Sequence, residues 1–503
     1  MHSYVDKGNL TIQQPLSTQE ENNQPEKATT GRRNFIGKSL ALGALGLSGC
    51  WHAAAMASAP SAPPKKAAST LPARGNYLIK QAYIITVDPE LNDLPAGDVH
   101  LKNGAIVAVG QNLQAAGATV VNGEGMIVLP GLIDTHWHMW TALLRSMAGN
   151  TKGKGYFDTT SHYGPHFLPG DMYQSTRLAT TEALFSGITT VHDWSHNVRS
   201  LQHAEASLRA LQESGLRARY SCGTAAGQKG TSSMNFSTLD HLHRHWPAYA
   251  AENLLSLGFA WRGIGGHPAI ESEAETGKAE LAKARAMKLP ITIHASAGGI
   301  IGKLAEARLM GKDMQLVHAT DATEQEISNM VKAGASISFS PYSELRIGYG
   351  IPPITKCLDA GATISLSVDT TTLSGNADMF AIMKIFLNLA NALNKDEFSL
   401  TARQVLELAT MGGAKALGIA DRTGSITPGK RADIIMVSTK APNLGLFTNP
   451  VDLVVEAVQP HNVDTVFVDG RLLKRHGKLT SVPEEQVYKE AATALANLKK
   501  RAS

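Results

Sequence analysis

An apolar run that begins at Met126 continues through Leu129-Pro-Gly-Leu-Ile-Asp134 and ends in Thr135-His-Trp-His138. No other stretch constrains the fold as much. A short continuous apolar segment punctuated by Pro-Gly reads as a buried strand, and polar residues mark where that strand comes to the surface of a cavity. Side chains alternate faces along a strand, so His136 and His138 point the same way, at a separation suited to gripping one ion. The two histidines read as a metal-binding pair.

Downstream, apolar strand-like segments alternate with helical stretches, the pattern of a parallel α/β barrel. Eight candidate strands end near Asp134, Asp193, Ser221, Trp261, His294, His318, Ser340 and Asp369. Several of these ends carry His or Asp, and the C-terminal ends of barrel strands are where such folds place their chemistry. Before the barrel, segments from Tyr77 to Val87 and from Asp98 to Val109 read as short strands, with an Asn-Gly turn at Asn103. Matching pieces lie at Gly424 to Val437 and Asp464 to Leu473.

Pro130-Gly-Leu-Ile-Asp-Thr-His-Trp-His138 resembles the first-strand signature of the amidohydrolase superfamily. The resemblance implies a metal-dependent hydrolase on a distorted TIM (β/α)8 barrel, with a β-sandwich made by both chain ends. It places the sandwich at 74–127 and 424–480 and the barrel at 128–423. It further implies that His136, His138, His294 and Asp369 hold one divalent metal, Zn or Fe. His318 corresponds to the family position that faces the attacking water or the substrate. The fourth strand ends in Gly258-Phe-Ala-Trp261 with no lysine to bridge two metals, which favours a single ion.

Such a site works through a metal-activated water, with Asp369 taking its proton. The sequence departs here from the cytosine deaminase and triazine hydrolase branch that it otherwise resembles. Those enzymes carry His-x-x-Glu on strand five, where the glutamate shuttles protons to the ring and the leaving group; this chain has His294-Ala-Ser-Ala297. Glu344, His192 and Asp193 are the substitutes considered, and Glu344 is taken as the catalytic acid alongside Asp369 and His318. The competing reading of Glu344 is a solvated loop carboxylate. Aromatic residues crowd the segment after the first strand (Trp137, Trp140, Tyr156, Phe157, Tyr163), with His162 and His166 among them and Trp194 and Trp261 on neighbouring loops. Aromatic walls suit a flat or apolar substrate.

The expected reaction is hydrolysis of a C–N bond, amide or cyclic amidine, in a small and cyclic molecule. Lactone or ester hydrolysis at the same mononuclear site is the alternative, because an alkoxide leaves with less help from an acid. A non-catalytic anchored binding protein is disfavoured by the complete ligand set.

The N-terminal region adds expectations of location. Gly31-Arg-Arg-Asn-Phe-Ile-Gly-Lys38 followed by the apolar run from Leu40 to Leu47 resembles a twin-arginine signal over residues 1–50. Leu47-Ser-Gly-Cys50 resembles a lipobox, which implies a lipid anchor at Cys50; cleavage near Ala55-Met-Ala57 competes with it. Residues 51–73, rich in Ala, Pro, Ser and Lys, read as a disordered tether. The implied partners are the twin-arginine export machinery and a small-molecule substrate, and the implied place is periplasmic or exported. Folded export implies that the metal is loaded before transport. Self-association as a homo-oligomer stays open. The net charge of +4 gives no case for nucleic-acid binding. Beyond Cys50 only Cys222 and Cys357 remain, too few for a disulfide framework.

Overall fold

The computed structural model describes residues 71–265, 271–296 and 299–503. The segments expected to form a signal, a lipobox at Cys50 and most of a tether lie outside the described residues, as does Ala297. Leu71, which falls within the 51–73 segment expected to be a tether, lies against the main hydrophobic core.

Five strands open the fold: β1 (Asn76–Ile84), β2 (Leu94–Lys102), β3 (Ala105–Gly110), β4 (Thr119–Asn122) and β5 (Met126–Pro130). Lys102 pairs with Ala105 across the Asn103-Gly104 turn, where both residues adopt positive φ, 52° and 85°. Asn-Gly is the dipeptide that tolerates this geometry in a two-residue hairpin.

The barrel follows as β6 (Leu132–Trp137), β7 (Ile188–Ser195), β8 (Arg217–Gly223), β9 (Leu255–Trp261), β10 (Ile291–His294), β11 (Met314–Val317), β12 (Ser336–Phe339) and β13 (Thr363–Leu366). All eight run parallel in sequential order, and each corresponds to one of the strands read from the sequence. Their lateral pairing is continuous from β6 to β13. The remaining seam, between β6 and β13, is closed by a bridge of Trp137 to Asp369, where Asp369 N–H donates to His136 O at 2.8 Å and His138 N–H to Asp369 O at 2.6 Å. The distortion of the barrel therefore sits at the metal-ligand candidates themselves.

The last strands, β14 (Ile434–Ser438), β15 (Val463–Val468), β16 (Arg471–Arg475) and β17 (Lys478–Leu479), join the first five in one nine-stranded sheet of order β17-β16-β15-β14-β5-β1-β2-β3, with β4 beside β1. The sheet curls until β3 meets the segment that leads into β14: Ile106 N–H donates to Lys430 O at 2.8 Å and Ala432 N–H to Gly104 O at 2.9 Å. Its inner face encloses a separate core of Ile79, Val99, Ile106, Val128, Ile434 and Phe467. This is the small domain expected from the two chain ends, although β5 carries it to Pro130.

The sequence reading assigned nothing after residue 480, yet Glu484–Ala502 is a helix. It packs on the barrel helix Pro169–Phe185 through Val487, Ala491 and Leu498. Ion pairs of Arg177 with Glu490 and of Arg501 with Asp171 hold it there.

Candidate metal centre and active site

A bulge in β6 sets the aim of the first histidines. Asp134 pairs with Val191 and Trp137 with Asp193, so three steps on β6 match two on β7. Bulges of this kind redirect side chains at barrel rims. Asp134 is fully buried and accepts the His136 N–H at 3.0 Å, which fixes the backbone at the turn of the strand. Burial holds its carboxyl well above the usual range, against the pull of the His136 and Val368 amides.

Four side chains converge where the sequence placed the ligands. His136 Nε2 lies 3.1 Å and His138 Nε2 3.4 Å from Asp369 Oδ1, and His138 Nε2 lies 3.2 Å from His294 Nε2. His318 joins them: ligand atoms of His136, His294, His318 and Asp369 all lie within 4.8 Å of one another. Asp369 and His318 hold positive φ, 62° and 74°. Non-glycine residues in that region cost about 1–3 kcal/mol each and collect at functional sites.

The donor set fits a metal ion. His138 Nδ1 lies 3.2 Å from the Trp194 carbonyl, so that nitrogen carries the proton and Nε2 presents a lone pair toward His294. Two facing imidazole nitrogens at 3.2 Å, beside a carboxylate, are stabilised by a shared cation. Burial pushes His136, His138 and His294 well below the ordinary histidine range, helped by the neighbouring imidazoles. Neutral imidazole is the ligating form.

His318 differs from these three. Burial pulls its pKa down, but the bond from Nδ1 to Glu344 Oε1 at 3.1 Å and the charges of Asp369 and Glu344 outweigh it, so the net shift is upward. Glu344 is fully buried in the helix Pro341–Ile347, and its Oε1 also accepts the Ser340 N–H at 2.7 Å. Burial raises the Glu344 carboxyl, with His318 pulling the other way. The solvated-loop reading of Glu344 is thus excluded. The role as an acid facing substrate is corrected too: Glu344 stands behind His318 and is not among the residues that line the cavity. Its reach into the chemistry runs through His318.

The other substitutes for the strand-five glutamate do not reach the cavity either. His192 points into the barrel interior, with Nδ1 2.9 Å from Thr135 O and Nε2 2.7 Å from Ser221 Oγ, and burial pulls its pKa to about 3. Asp193, on the opposite face of β7, is buried and pushed up to about 8 by desolvation.

A cavity of about 390 Å³ opens over the cluster. Tyr156, Phe157 and Trp194 form walls, as the aromatic pattern suggested, with Tyr349 added. Trp137, Trp140 and Trp261 are instead fully buried packing residues, and His162, Tyr163 and His166 lie away from the cavity lining. Sequence reasoning missed Tyr349, Arg262, Thr224 and His196. His196 had a signal, since it lies two residues beyond Trp194 on the same strand exit; Tyr349 had none, because it follows a helix whose direction only packing sets.

The profile of the amidohydrolase family matches residues 127–473. The chain belongs to this family. The match spans the whole barrel and most of the C-terminal strands of the small sheet. This amidohydrolase is 30% identical over 455 residues, 85% of its length and 99% of the relative's, to a 5'-deoxyadenosine deaminase of Methanosarcina acetivorans. It is 28% identical over 396 residues, 74% of its length and 87% of the relative's, to a 5-methylthioadenosine/S-adenosylhomocysteine deaminase of Moorella thermoacetica. Its fold matches an adenosine deaminase of Xanthomonas campestris with bound zinc at a TM-score of 0.75, with 23% identity over 85% of this chain and 100% of that one.

Proposed function

We propose that this amidohydrolase deaminates a small aminopurine nucleoside of the 5'-deoxyadenosine type, with one zinc ion held by His136, His138, His294 and Asp369. The observation that carries the reading is the convergence of these four residues beneath a cavity walled by Tyr156, Phe157, Trp194 and Tyr349, with His138, His294 and Asp369 reaching its lining. The relatives named above support C–N hydrolysis at a carbon outside any peptide bond.

An ion in this donor set supplies Lewis acidity and lowers the pKa of a bound water to about 7. The chain's own residues do the rest. The aromatic walls hold a flat ring against the cluster and exclude bulk water. Asp369 is placed to take a proton from the attacking water. His318, kept protonated by Glu344 behind it, faces the cavity as the proton donor for departing ammonia. The sequence's departure at Ala297 thereby finds a replacement in a His–Glu pair one strand over, in place of a strand-five carboxylate.

The test is ammonia release from 5'-deoxyadenosine and methylthioadenosine by the zinc-loaded chain, alongside lactones and esters. Ammonia from the nucleosides, one ion per chain, and loss of that ion in a His136→Ala, His138→Ala double variant are expected. Turnover of lactones with no ammonia from any aminopurine would replace this reading with ester hydrolysis.

A further inference from the structure

The cavity's polar groups are nearly all committed, and one that is not stands at the reacting centre. Arg262 lines the wall but gives its N–H groups to Glu280 (2.5 and 3.2 Å), Lys229 O (3.0 Å) and Ser232 O (2.5 Å). His196 Nδ1 accepts from Trp140 Nε1 at 3.2 Å, and the Ser296 side chain adjoins the Tyr349 hydroxyl. Thr160 Oγ1 donates to Tyr156 O at 3.0 Å. His138, His294, His318 and Asp369 belong to the metal cluster. Among the described lining residues two buried hydroxyls stay without a partner, those of Thr224 and Tyr156.

Tyr156 is the one beside the chemistry. Its hydroxyl is close enough to Asp369 and to Tyr349 for their charges to act on it, and the Thr370 side chain adjoins it. Thr370 is near but outside hydrogen-bond geometry with the phenol; its own hydroxyl is held by Thr141 Oγ1 at 2.7 Å and by the Thr372 N–H at 3.2 Å, which fixes where it points. A buried phenol left unpaired is rare in a native fold and calls for a cause. A substrate acceptor atom supplies one.

We propose that the Tyr156 hydroxyl donates a hydrogen bond to the ring nitrogen adjacent to the carbon under attack, a contact for which an alanine side chain at position 297 has no polar group. The proposal rests on the aminopurine reading above. A phenol in this place is a donor fixed before substrate arrives, and the bond strengthens as negative charge builds on that nitrogen during attack. The residue comes from the segment after the first strand, so this contact to the ring is supplied from the first βα connection and not from the fifth strand.

Tyr156→Phe in the zinc-loaded full chain removes only the oxygen. We expect kcat for 5'-deoxyadenosine to fall about 10²- to 10³-fold, the range for losing one preorganised donor, at unchanged metal content. The second measurement is inhibition by 1-deaza-5'-deoxyadenosine, which has C–H in place of that nitrogen, compared with the KM or Ki of the parent. Wild type should prefer the parent ring about 10-fold or more, and the variant should show no preference; a merely structural role would leave the preference intact. Wild type that releases ammonia while the variant keeps both its rate and its preference overturns the assignment of Tyr156 alone. Wild type that releases no ammonia from any aminopurine nucleoside overturns the function and this assignment together.

Discussion

Glu344 Oε1 sits 3.1 Å from His318 Nδ1 with neither side chain open to solvent. In such a place the charge of one residue decides the protonation of the other. Glu344→Gln keeps the shape and an acceptor for Nδ1–H but removes the anion. It should lower kcat about 10- to 10²-fold, and it should move the alkaline limb of the pH profile to lower pH, because His318 then loses its proton more readily. An unshifted limb with normal metal content would falsify the pairing. Asp193 gives a second test. Its folded pKa, raised to about 8 by burial, exceeds the unfolded value near 4, so the folded state binds the extra proton between those values. Stability is therefore fully present below about pH 4 and declines as pH rises toward 8. Asp193→Asn should flatten that decline, as read by denaturant unfolding at pH 5 and pH 8. At this scale the residue types were legible and their surroundings were not: the pattern named His318 and Glu344, but only burial shows that one stands behind the other.

The strands and the terminal helix contrast in how much they disclosed. Each barrel strand is a short apolar run that ends at or beside a polar residue, with β9 ending at Trp261 next to Arg262; the signal was strong enough to locate all eight. The helix Glu484–Ala502 carries its own signals: acidic Glu484 and Glu485 in the first turn, Lys499, Lys500 and Arg501 in the last, as the helix dipole favours. Its buried stripe of Val487, Ala491 and Leu498 is thin, and small residues do not mark a core face clearly. What the helix covers explains its presence. Leu498 is fully buried in a cluster with Trp140, Leu143, Phe167 and Met172, the segment that carries the cavity wall. Arg501 Nε donates to His166 O at 3.1 Å on the same segment. Leu498→Ala should cost about 2–5 kcal/mol, seen in thermal unfolding. It should also raise KM more than it lowers kcat, since the wall loosens while the metal ligands stay.

The two domains are joined by a buried ion pair. Arg217 on β8 donates to both oxygens of Asp433, at 2.7 and 3.1 Å, and Asp433 also accepts the Asp469 N–H at 2.7 Å. Breaking a buried pair leaves one charge uncompensated, at about 3–5 kcal/mol. Asp433→Ala should therefore lower the melting temperature, and by more than the removal of an exposed pair such as Lys278 with Glu275. Export is tested at the same scale: replacing Arg32 and Arg33 with Lys should leave precursor in the cytoplasm, read by fractionation, and normal export of that variant would remove the twin-arginine assignment.

The sequence by itself determined the order of the barrel strands and the shared aim of His136 and His138, because hydrophobic periodicity and strand alternation are local and are written residue by residue; His294 and Asp369 became ligand candidates only through the family resemblance. Tertiary structure decided which residues meet. The closure of the barrel seam at Asp369, the turning of Trp137 and Trp261 away from the cavity and the surroundings of the Tyr156 hydroxyl depend on contacts between segments far apart in the chain, and the placing of Glu344 behind His318 on how one strand exit packs against the helix after the next strand. Spacing along one strand carries no information about a partner some two hundred residues away.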